Sequence, residues 1–308
     1  MKDHTDLIGR RYLTDGGLET DLIYNRGIDL PEFAAFVLMD GDDGRTALRD
    51  YFNEYIDIAV ATGVPVLLET PTWRASTSWG ETLGYDQSSL DRINRESVDF
   101  LRALATSRSD DLTGWEVGGI IGPRGDGYRP GVHTDADECA ELHRPQLEAF
   151  RDAGATRATA LTMTETAEAI GVARAAADVG IPSVIGFTVE TDGRLPDGTP
   201  LGEAIAAVDA DTPPAYHVVN CAHPTHIAGA LDGGAWQRRV GGLRMNASKL
   251  SHAELDASTT LDDGDPVELA HGISGLRESF PHAGVIGGCC GTDSRHVAAA
   301  WAMIPTGA

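Results

Sequence analysis

The chain contains 308 residues, of which 42% are apolar, and 47 acidic against 24 basic residues give a formal charge of −23. This length and apolar content are enough for one large α/β domain and exclude disorder as the dominant state. The strong negative charge argues against nucleic acid and anionic membranes as partners, because both would repel the protein. Small-molecule substrates are therefore the expected partners, and the oligomeric state stays open.

A short apolar segment followed by a helical pattern recurs about every 35 to 40 residues, which is typical of repeated βα units. Eight strands are predicted, at Arg11–Thr14, Val64–Thr70, Glu116–Gly122, Ala155–Met163, Ser183–Val189, Tyr216–Cys221, Val240–Met245 and Val285–Cys289. Helices are predicted between several of them, at Leu90–Leu104, Asp137–Ala153, Glu165–Val179 and Ser294–Met303. Gly154 and Gly180 each follow a helical segment just before a strand, as expected for the αβ loops of a parallel sheet.

Eight alternating units favour an α/β fold closed into a single (β/α)8 barrel of the TIM type, with residues 1–308 as one domain. An open doubly wound sheet is the alternative. A Gly-x-Gly-x-x-Gly motif after the first strand would support that alternative. The segment Asp15-Gly16-Gly17-Leu18-Glu19-Thr20 lacks the third glycine and carries acids where a pyrophosphate would bind, so dinucleotide binding is disfavoured.

The chain has no apolar run of membrane-spanning length, and Met1 to Asp6 lack the basic and apolar regions of a signal peptide. We therefore expect a cytoplasmic location. The four cysteines are too few and too unevenly spaced for a disulfide framework, which indicates thiols in a reducing compartment.

The residues at the ends of the predicted strands indicate where the chemistry takes place, because the active site of a barrel lies at the C-terminal ends of its strands. Those ends carry Asp15-Gly16-Gly17, Glu69-Thr70, Glu165, Asn220-Cys221 and Cys289-Cys290-Gly291. Cys221, Cys289 and Cys290 are thus expected to converge on one mouth. Three thiolates suit Zn²⁺, and the flanking glycines allow two adjacent cysteines to face one ion.

Some of these residues have a simpler interpretation as packing residues, since a free cysteine often behaves as a small buried hydrophobe. Cys139 lies in a helical pattern and is interpreted in that way. His223 and His226 could supply a fourth ligand, but we interpret each as a helix-start or pocket-wall residue. His217 lies within a strand pattern and is interpreted as structural.

Three cysteine ligands leave one position of a tetrahedral zinc open, which is typical of a catalytic site. Three thiolates also make the zinc a poor Lewis acid for activating water. Such a site is better suited to binding the thiolate of a substrate and presenting it as a nucleophile. The residues therefore point to a thiol substrate.

At these residues the sequence resembles the homocysteine S-methyltransferase family, which includes S-methylmethionine and betaine–homocysteine methyltransferases. The resemblance runs from Asp15-Gly16-Gly17 through Asn220-Cys221 to the segment Gly287-Gly288-Cys289-Cys290-Gly291-Thr292. It implies that Cys221, Cys289 and Cys290 hold Zn²⁺ and that the homocysteine sulfur takes the remaining position. It further implies that Asp15 and Glu165 bind the homocysteine amino group, and that the backbone at Gly16 and Thr70 holds its carboxylate.

The sequence departs from the betaine branch of the family at Arg74, which stands where that branch contributes an aromatic residue to the donor pocket. A guanidinium beside a cationic methyl donor is unfavourable unless it is paired or turned away, so betaine is disfavoured. Trp73, Trp79 and Tyr128 are candidates for cation–π contact with a sulfonium, although isolated loop aromatics are more often packing residues.

Other residues are predicted to surround the donor. The segment Gly122–Tyr128 is interpreted as a flexible cover over the donor site. Asp126 and Glu69 would favour a cationic donor electrostatically, and Asn246 at the end of the seventh strand is a candidate to face the pocket.

The expected function is therefore zinc-dependent methyl transfer from a sulfonium donor to homocysteine, giving methionine. S-methylmethionine is the first choice of donor and S-adenosylmethionine the second. One alternative is a zinc hydrolase on the same barrel, which the all-sulfur ligand set disfavours. The other is a non-catalytic homologue that binds a thiol or zinc, which Arg74 keeps open.

Overall fold

The computed structural model describes residues 7–131 and 134–305. Eight parallel strands pair in chain order and β1 closes onto β8, which confirms the predicted (β/α)8 barrel. The strands are β1 (Tyr12–Leu13), β2 (Val66–Glu69), β3 (Trp115–Ile121), β4 (Arg157–Met163), β5 (Ser183–Phe187), β6 (Tyr216–Asn220), β7 (Val240–Met245) and β8 (Val285–Gly288).

Helices surround the barrel. They are α1 (Leu18–Thr20), α2 (Asp42–Thr62), α3 (Thr77–Leu83), α4 (Gln87–Ser107), α5 (Ala136–Ala153), α6 (Thr166–Val179), α7 (Leu201–Asp211), α8 (Pro224–Ala228), α9 (His252–Asp256), α10 (Pro266–Ser279) and α11 (Ser294–Met303). A π-helical turn, Asp21–Asn25, continues α1, and 3₁₀ turns occur at Pro31–Phe33, Ala35–Asp40 and Ala235–Arg239. No helix of the described ranges is long and apolar enough to cross a membrane.

The predicted strands are all present, but several end one or two residues earlier than predicted. Cys221 and Cys289 each keep one ladder bond, from their backbone N–H groups to the carbonyls of Arg244 and Met245. Cys221 then adopts a left-handed backbone with φ of 53°, which takes the chain out of the sheet. Cys221 and Cys289 therefore lie just beyond the strands rather than within them.

The four predicted helices are also present, as α4, α5, α6 and α11. Asp86 and Asp135 cap the N-termini of α4 and α5 by accepting hydrogen bonds from backbone N–H groups of the first turn. Gly154 and Gly180 end α5 and α6 in the left-handed conformation, as predicted. These local signals set the helix ends, although α4 extends three residues beyond the predicted Leu90–Leu104 at each end.

The apolar core has two parts. The larger lies between the strands and the helices, and the smaller includes Leu67, Leu161, Val184 and Val218 from the barrel strands. At the N-terminal ends of the strands a fully buried Arg157 completes the smaller core. Its guanidinium pairs with Glu116, donates to the Tyr216 hydroxyl and lies 5.3 Å from the Tyr12 ring. This end of the barrel is therefore filled, which leaves the opposite end for a site.

Candidate functional site

A cavity of about 360 Å³ opens at the C-terminal ends of the strands. Its wall combines residues from the ends of β1, β2, β6, β7 and β8, among them Asp15, Glu69, Cys221, Arg244 and Cys289. The predicted strand ends therefore do meet at one mouth, as the barrel topology requires.

Three cysteines form a cluster in this wall. The Sγ atoms of Cys221, Cys289 and Cys290 all lie within 4.8 Å of one another. The left-handed turn at Cys221 directs its side chain toward the other two. At the end of β8, Gly288 allows the Thr292 hydroxyl to pack against the backbone beside the two cysteines, because a Cβ at this position would lie 1.9 Å from that hydroxyl.

The cluster has the composition and spacing of a metal site. Zinc binds thiolate at about 2.3 Å, so three of its tetrahedral sulfur ligands lie about 3.8 Å apart. The observed sulfur separations need only a contraction of about 1 Å or less to reach this geometry. The three cysteines therefore fit a soft metal such as zinc, and all three line the cavity.

Hydrogen bonds adjust the acidity of the thiols. The thiols of Cys221 and Cys290 donate to Cys289, which, with the nearby Arg244 cation, holds the pKa of Cys289 well below its usual range. Hydrogen bonds to its two neighbours and burial raise the pKa of Cys290. The shared hydrogen bonds therefore favour ionisation of Cys289 over that of Cys290.

Polar side chains around the cluster contact its sulfur atoms. The Tyr128 hydroxyl lies 3.3 Å from Cys221 Sγ, and the Asn220 amide donates to Cys289 Sγ at 3.9 Å. Asn246, which lines the cavity as predicted, donates to Cys221 Sγ at 4.0 Å. Such contacts orient ligand sulfur atoms and stabilise their charge.

A buried ion-pair group lies beside the cluster. Arg244 on β7 is 5% exposed, and its guanidinium pairs with Asp15 at 2.5 Å and with Glu69. Burial raises the pKa of Asp15 while the Arg244 cation opposes the shift. Two carboxylates around one guanidinium leave one net negative charge when all three groups are ionised, which suits an ammonium ligand.

Three of the four predicted substrate contacts, Asp15, Gly16 and Thr70, line this cavity. The polar hydrogens of Thr70 are already engaged. Its N–H donates to the Gly118 carbonyl at 3.0 Å, and its hydroxyl bonds that of Thr72 at 2.6 Å. The Thr72 hydroxyl gives its own hydrogen to the Ile120 carbonyl, so Thr70 must be the donor in that pair. A carboxylate would have to replace one of these bonds, and the role of Thr70 stays a prediction.

Glu165 is placed differently from the other three. It is 9% exposed at the N-terminus of α6, and the described cavity wall does not include it. Its Oε1 accepts hydrogen bonds from the Thr134 hydroxyl at 2.6 Å and from the Gly131 N–H at 3.2 Å. Glu165 therefore holds the loop before α5, and its contact with an amino group also stays a prediction.

The residues predicted around the donor divide into two groups. Trp73, Tyr128, Asp126 and Glu69 line the cavity. Trp79 is absent from the described wall and instead stacks on Arg74, which agrees with a packing role. The end of the Gly122–Tyr128 segment borders the cavity, where Tyr128 stacks on His252 with ring centroids 4.1 Å apart.

The remaining candidates lie outside the cysteine cluster, as interpreted from the sequence. His223 caps α8 and the His226 ring contacts the Lys249 carbonyl at 3.0 Å. His217 is fully buried against Asp209. Cys139 is buried within α5.

The sequence interpretation missed two functional candidates. Arg244 is the one charged residue of the predicted strand Val240–Met245, and this lone charge in an apolar strand was a usable signal. Glu19 lines the cavity, where burial, the Cys289 thiolate and Asp15 raise its pKa from 4.5 to about 7. Its place two residues after the Gly16-Gly17 pair gave no indication that it would face the site.

Comparisons with known proteins agree with this geometry. Residues 12–304 match the model of the homocysteine S-methyltransferase family. The chain is 24% identical to homocysteine S-methyltransferase YbgG of Bacillus subtilis over 318 aligned positions, which cover 94% of this chain and 93% of the relative. It is also 24% identical to the Escherichia coli homocysteine S-methyltransferase, with 93% of each chain covered.

A solved structure has the same fold. The metallated form of the Escherichia coli homocysteine methyltransferase MmuM superposes with a TM-score of 0.74 at 21% identity, covering 95% of this chain and 96% of that chain. Because the family match extends over nearly the whole barrel, the chain belongs to the homocysteine S-methyltransferase family of enzymes.

Proposed function

We propose that the protein transfers a methyl group from a sulfonium donor to the thiol of homocysteine, giving methionine and a thioether. The observation that carries the proposal is the cluster of three cysteine sulfurs within 4.8 Å in the cavity wall. Cys221, Cys289 and Cys290 would hold zinc, which when bound lowers the pKa of a substrate thiol and fixes its sulfur. The metallated form of the related MmuM supports a metal in this family.

The residues beside the cluster support a seat for the amino-acid part of homocysteine. Asp15 and Glu69 share Arg244, so an ammonium group would supply the missing positive charge. The Gly16 backbone would hold the carboxylate, with Thr70 joining only if it exchanges one of its present hydrogen bonds. Glu165 would reach the ammonium only if it released Gly131 or Thr134.

The donor would lie on the outer side of the sulfur cluster, toward Trp73 and Tyr128. The faces of aromatic rings attract a sulfonium cation. No general base is required at the transfer step, because the thiol has lost its proton on binding. Holding two reactants in line supplies much of the rate gain.

S-methylmethionine is the preferred donor and S-adenosylmethionine the second choice. The cavity of about 360 Å³ is at the small end of ligand sites, and it must hold the acceptor as well as the donor. A compact sulfonium suits this volume better than a nucleoside. The all-sulfur ligand set continues to disfavour a hydrolase, since it weakens activation of water.

Mass spectrometry with a trideuteromethyl donor tests the proposal. The reduced, zinc-loaded protein is incubated with carbon-13-labelled homocysteine and with S-methylmethionine or S-adenosylmethionine whose S-methyl groups are deuterated, and we expect methionine that carries both labels. Both labels are needed because S-methylmethionine that has lost a methyl group is itself methionine. Labelled methanol, formed also without homocysteine, would indicate hydrolysis instead. No labelled product from either donor would contradict the proposal.

A further inference from the structure

Arg74 is a second cation in the wall of the same cavity, and its surroundings differ from those of Arg244. Its guanidinium carbon lies 3.6 Å from the centroid of the Trp79 ring and 5.0 Å from that of Trp73. Within residues 7–131 and 134–305, no carboxylate oxygen comes within 4.0 Å of this guanidinium. Its Nε atom is buried without a hydrogen-bond partner in the same ranges.

A guanidinium held in this way is prepared to bind an anion. Stacking on Trp79 fixes the plane of the guanidinium, so little conformational freedom is left to lose on binding. The planar array of N–H donors matches a carboxylate in particular.

The anion should belong to the methyl donor rather than to homocysteine. The proposed seat of homocysteine lies at Asp15 and Gly16, after β1, whereas Arg74 follows β2 and contacts the ring of Trp73, which is the candidate to face the sulfonium of the donor. A sulfonium without an anionic group would be repelled by Arg74. A donor that carries its own carboxylate converts this repulsion into attraction.

Acidic residues lie near Arg74 and could attract the positive charge of the donor. Asp126, Glu19 and Glu32 all act on Arg74 through charge, and Glu19 is also close enough to Cys289 to feel its thiolate. Asp126 and Glu19 line the cavity as well. Glu19 therefore lies near both Arg74 and the sulfur cluster, where its carboxyl group can face a positively charged methyl-bearing centre.

We propose that Arg74 is a specificity determinant that binds the carboxylate of a zwitterionic methyl donor, with the donor's sulfonium directed toward Glu19 and the cysteine cluster. This inference rests on the proposed methyl transfer. It predicts that sulfonium compounds with a carboxylate are substrates and that those without one are poor substrates.

Kinetics with three donors test the inference. S-methylmethionine carries a carboxylate and an ammonium, dimethylsulfoniopropionate a carboxylate only, and trimethylsulfonium neither. We expect Arg74→Gln to lower kcat/KM by about 10- to 100-fold for the first two donors, mainly through KM, because a charge-assisted pair is lost. The change for trimethylsulfonium should stay below about 3-fold, and the KM for homocysteine should be unchanged.

Control variants separate binding from folding. Arg74→Lys keeps the charge but loses the planar donors, so it should recover only part of the loss. Arg95, a partly exposed arginine paired with Asp152, provides the matched control, and Arg95→Gln should leave all three donors unaffected. An equal loss for all donors with Arg74→Gln would assign Arg74 a structural role. A raised KM for homocysteine, or no loss at all, would also overturn the inference.

Calorimetry without homocysteine distinguishes failure of this inference from failure of the proposed function. The wild-type protein should bind dimethylsulfoniopropionate but not trimethylsulfonium, and Arg74→Gln should bind neither. If no donor supports methyl transfer but this binding pattern holds, the proposed function fails and the carboxylate site stands. Equal binding of both sulfonium compounds by the wild-type protein would refute the carboxylate site whatever the activity.

Discussion

Glu19→Gln is expected to stabilise the fold at neutral pH, although Glu19 lines the cavity. Its pKa in the folded protein is about 7, against its usual 4.5, mainly because of burial. A carboxyl group whose pKa is raised on folding does not lower the free energy of unfolding below pH 4.5, because it is protonated in both states. The destabilisation grows as pH rises from 4.5 to 7 and is constant above 7.

The size of the effect follows from the shift. One pKa unit corresponds to about 1.4 kcal/mol, so the full shift sets an upper value of about 3 kcal/mol above pH 7. Glu19 keeps some exposure to water, so we expect a stabilisation of about 1–3 kcal/mol at pH 8 from the neutral amide. At pH 5 only a small fraction of Glu19 is ionised in the folded state, and the stabilisation by Glu19→Gln should fall below about 1 kcal/mol.

Urea denaturation at pH 8 and pH 5 measures this difference. Glu148, an exposed glutamate on α5, provides the matched control, and Glu148→Gln should change stability little at either pH. The reasoning would be refuted if Glu19→Gln were destabilising at pH 8 or gave the same change at both pH values. Because the donor's sulfonium is proposed to face Glu19, the same variant should also bind the donor more weakly. Glu19 would then be a residue that lowers the stability of the fold but is kept for its function.

Two further substitutions test the remaining parts of the site. Cys290→Ser should remove zinc and abolish methyl transfer, while the circular dichroism spectrum of the barrel is retained. The control variant Cys139→Ser should keep its full metal content. An active, fully zinc-loaded Cys290→Ser variant would exclude Cys290 as a ligand. Asp15→Asn should raise the KM for homocysteine by about 10-fold or more, since the ammonium loses a charged partner while Arg244 keeps Glu69. Steady-state kinetics measure this, and an unchanged KM would remove Asp15 from the homocysteine site.

The barrel and the cysteine cluster could be predicted because their signals are local or topological. Apolar strand segments and the helix ends at Gly154 and Gly180 are set by neighbours in sequence. Once eight βα units are recognised, the barrel brings strand ends together regardless of sequence separation. Cys221 and Cys289 therefore meet without any sequence signal that links them directly.

The pairing of side chains within the cavity could not be predicted in the same way. Arg244 binds Asp15 across 229 positions of sequence, and only the register of β7 against its neighbours makes this contact. Thr70 was expected to offer its N–H, which the β2–β3 ladder uses instead. Glu165 is still predicted to bind the amino group of the substrate, but the sequence did not indicate its present hydrogen bonds with the loop before α5.

The surroundings of Arg74 could not be predicted from the sequence either. From the sequence, Arg74 counted against betaine as the donor, but betaine carries a carboxylate of its own, so by the present inference Arg74 no longer excludes it. Its position in the cavity, stacked on Trp79 and without a carboxylate within 4.0 Å in the described ranges, gives it a use that depends on the donor's own negative charge. The spacing of residues in the sequence does not show whether a cationic side chain has a carboxylate partner in the folded protein.

The most direct test of the central claim is X-ray absorption at the zinc edge, with and without homocysteine, on protein purified under reducing conditions. The account predicts one zinc per chain, bound by the sulfurs of Cys221, Cys289 and Cys290, and a fourth sulfur ligand when homocysteine is added. A protein that binds no zinc under these conditions, or a zinc whose sulfur ligands do not change with homocysteine, would contradict it.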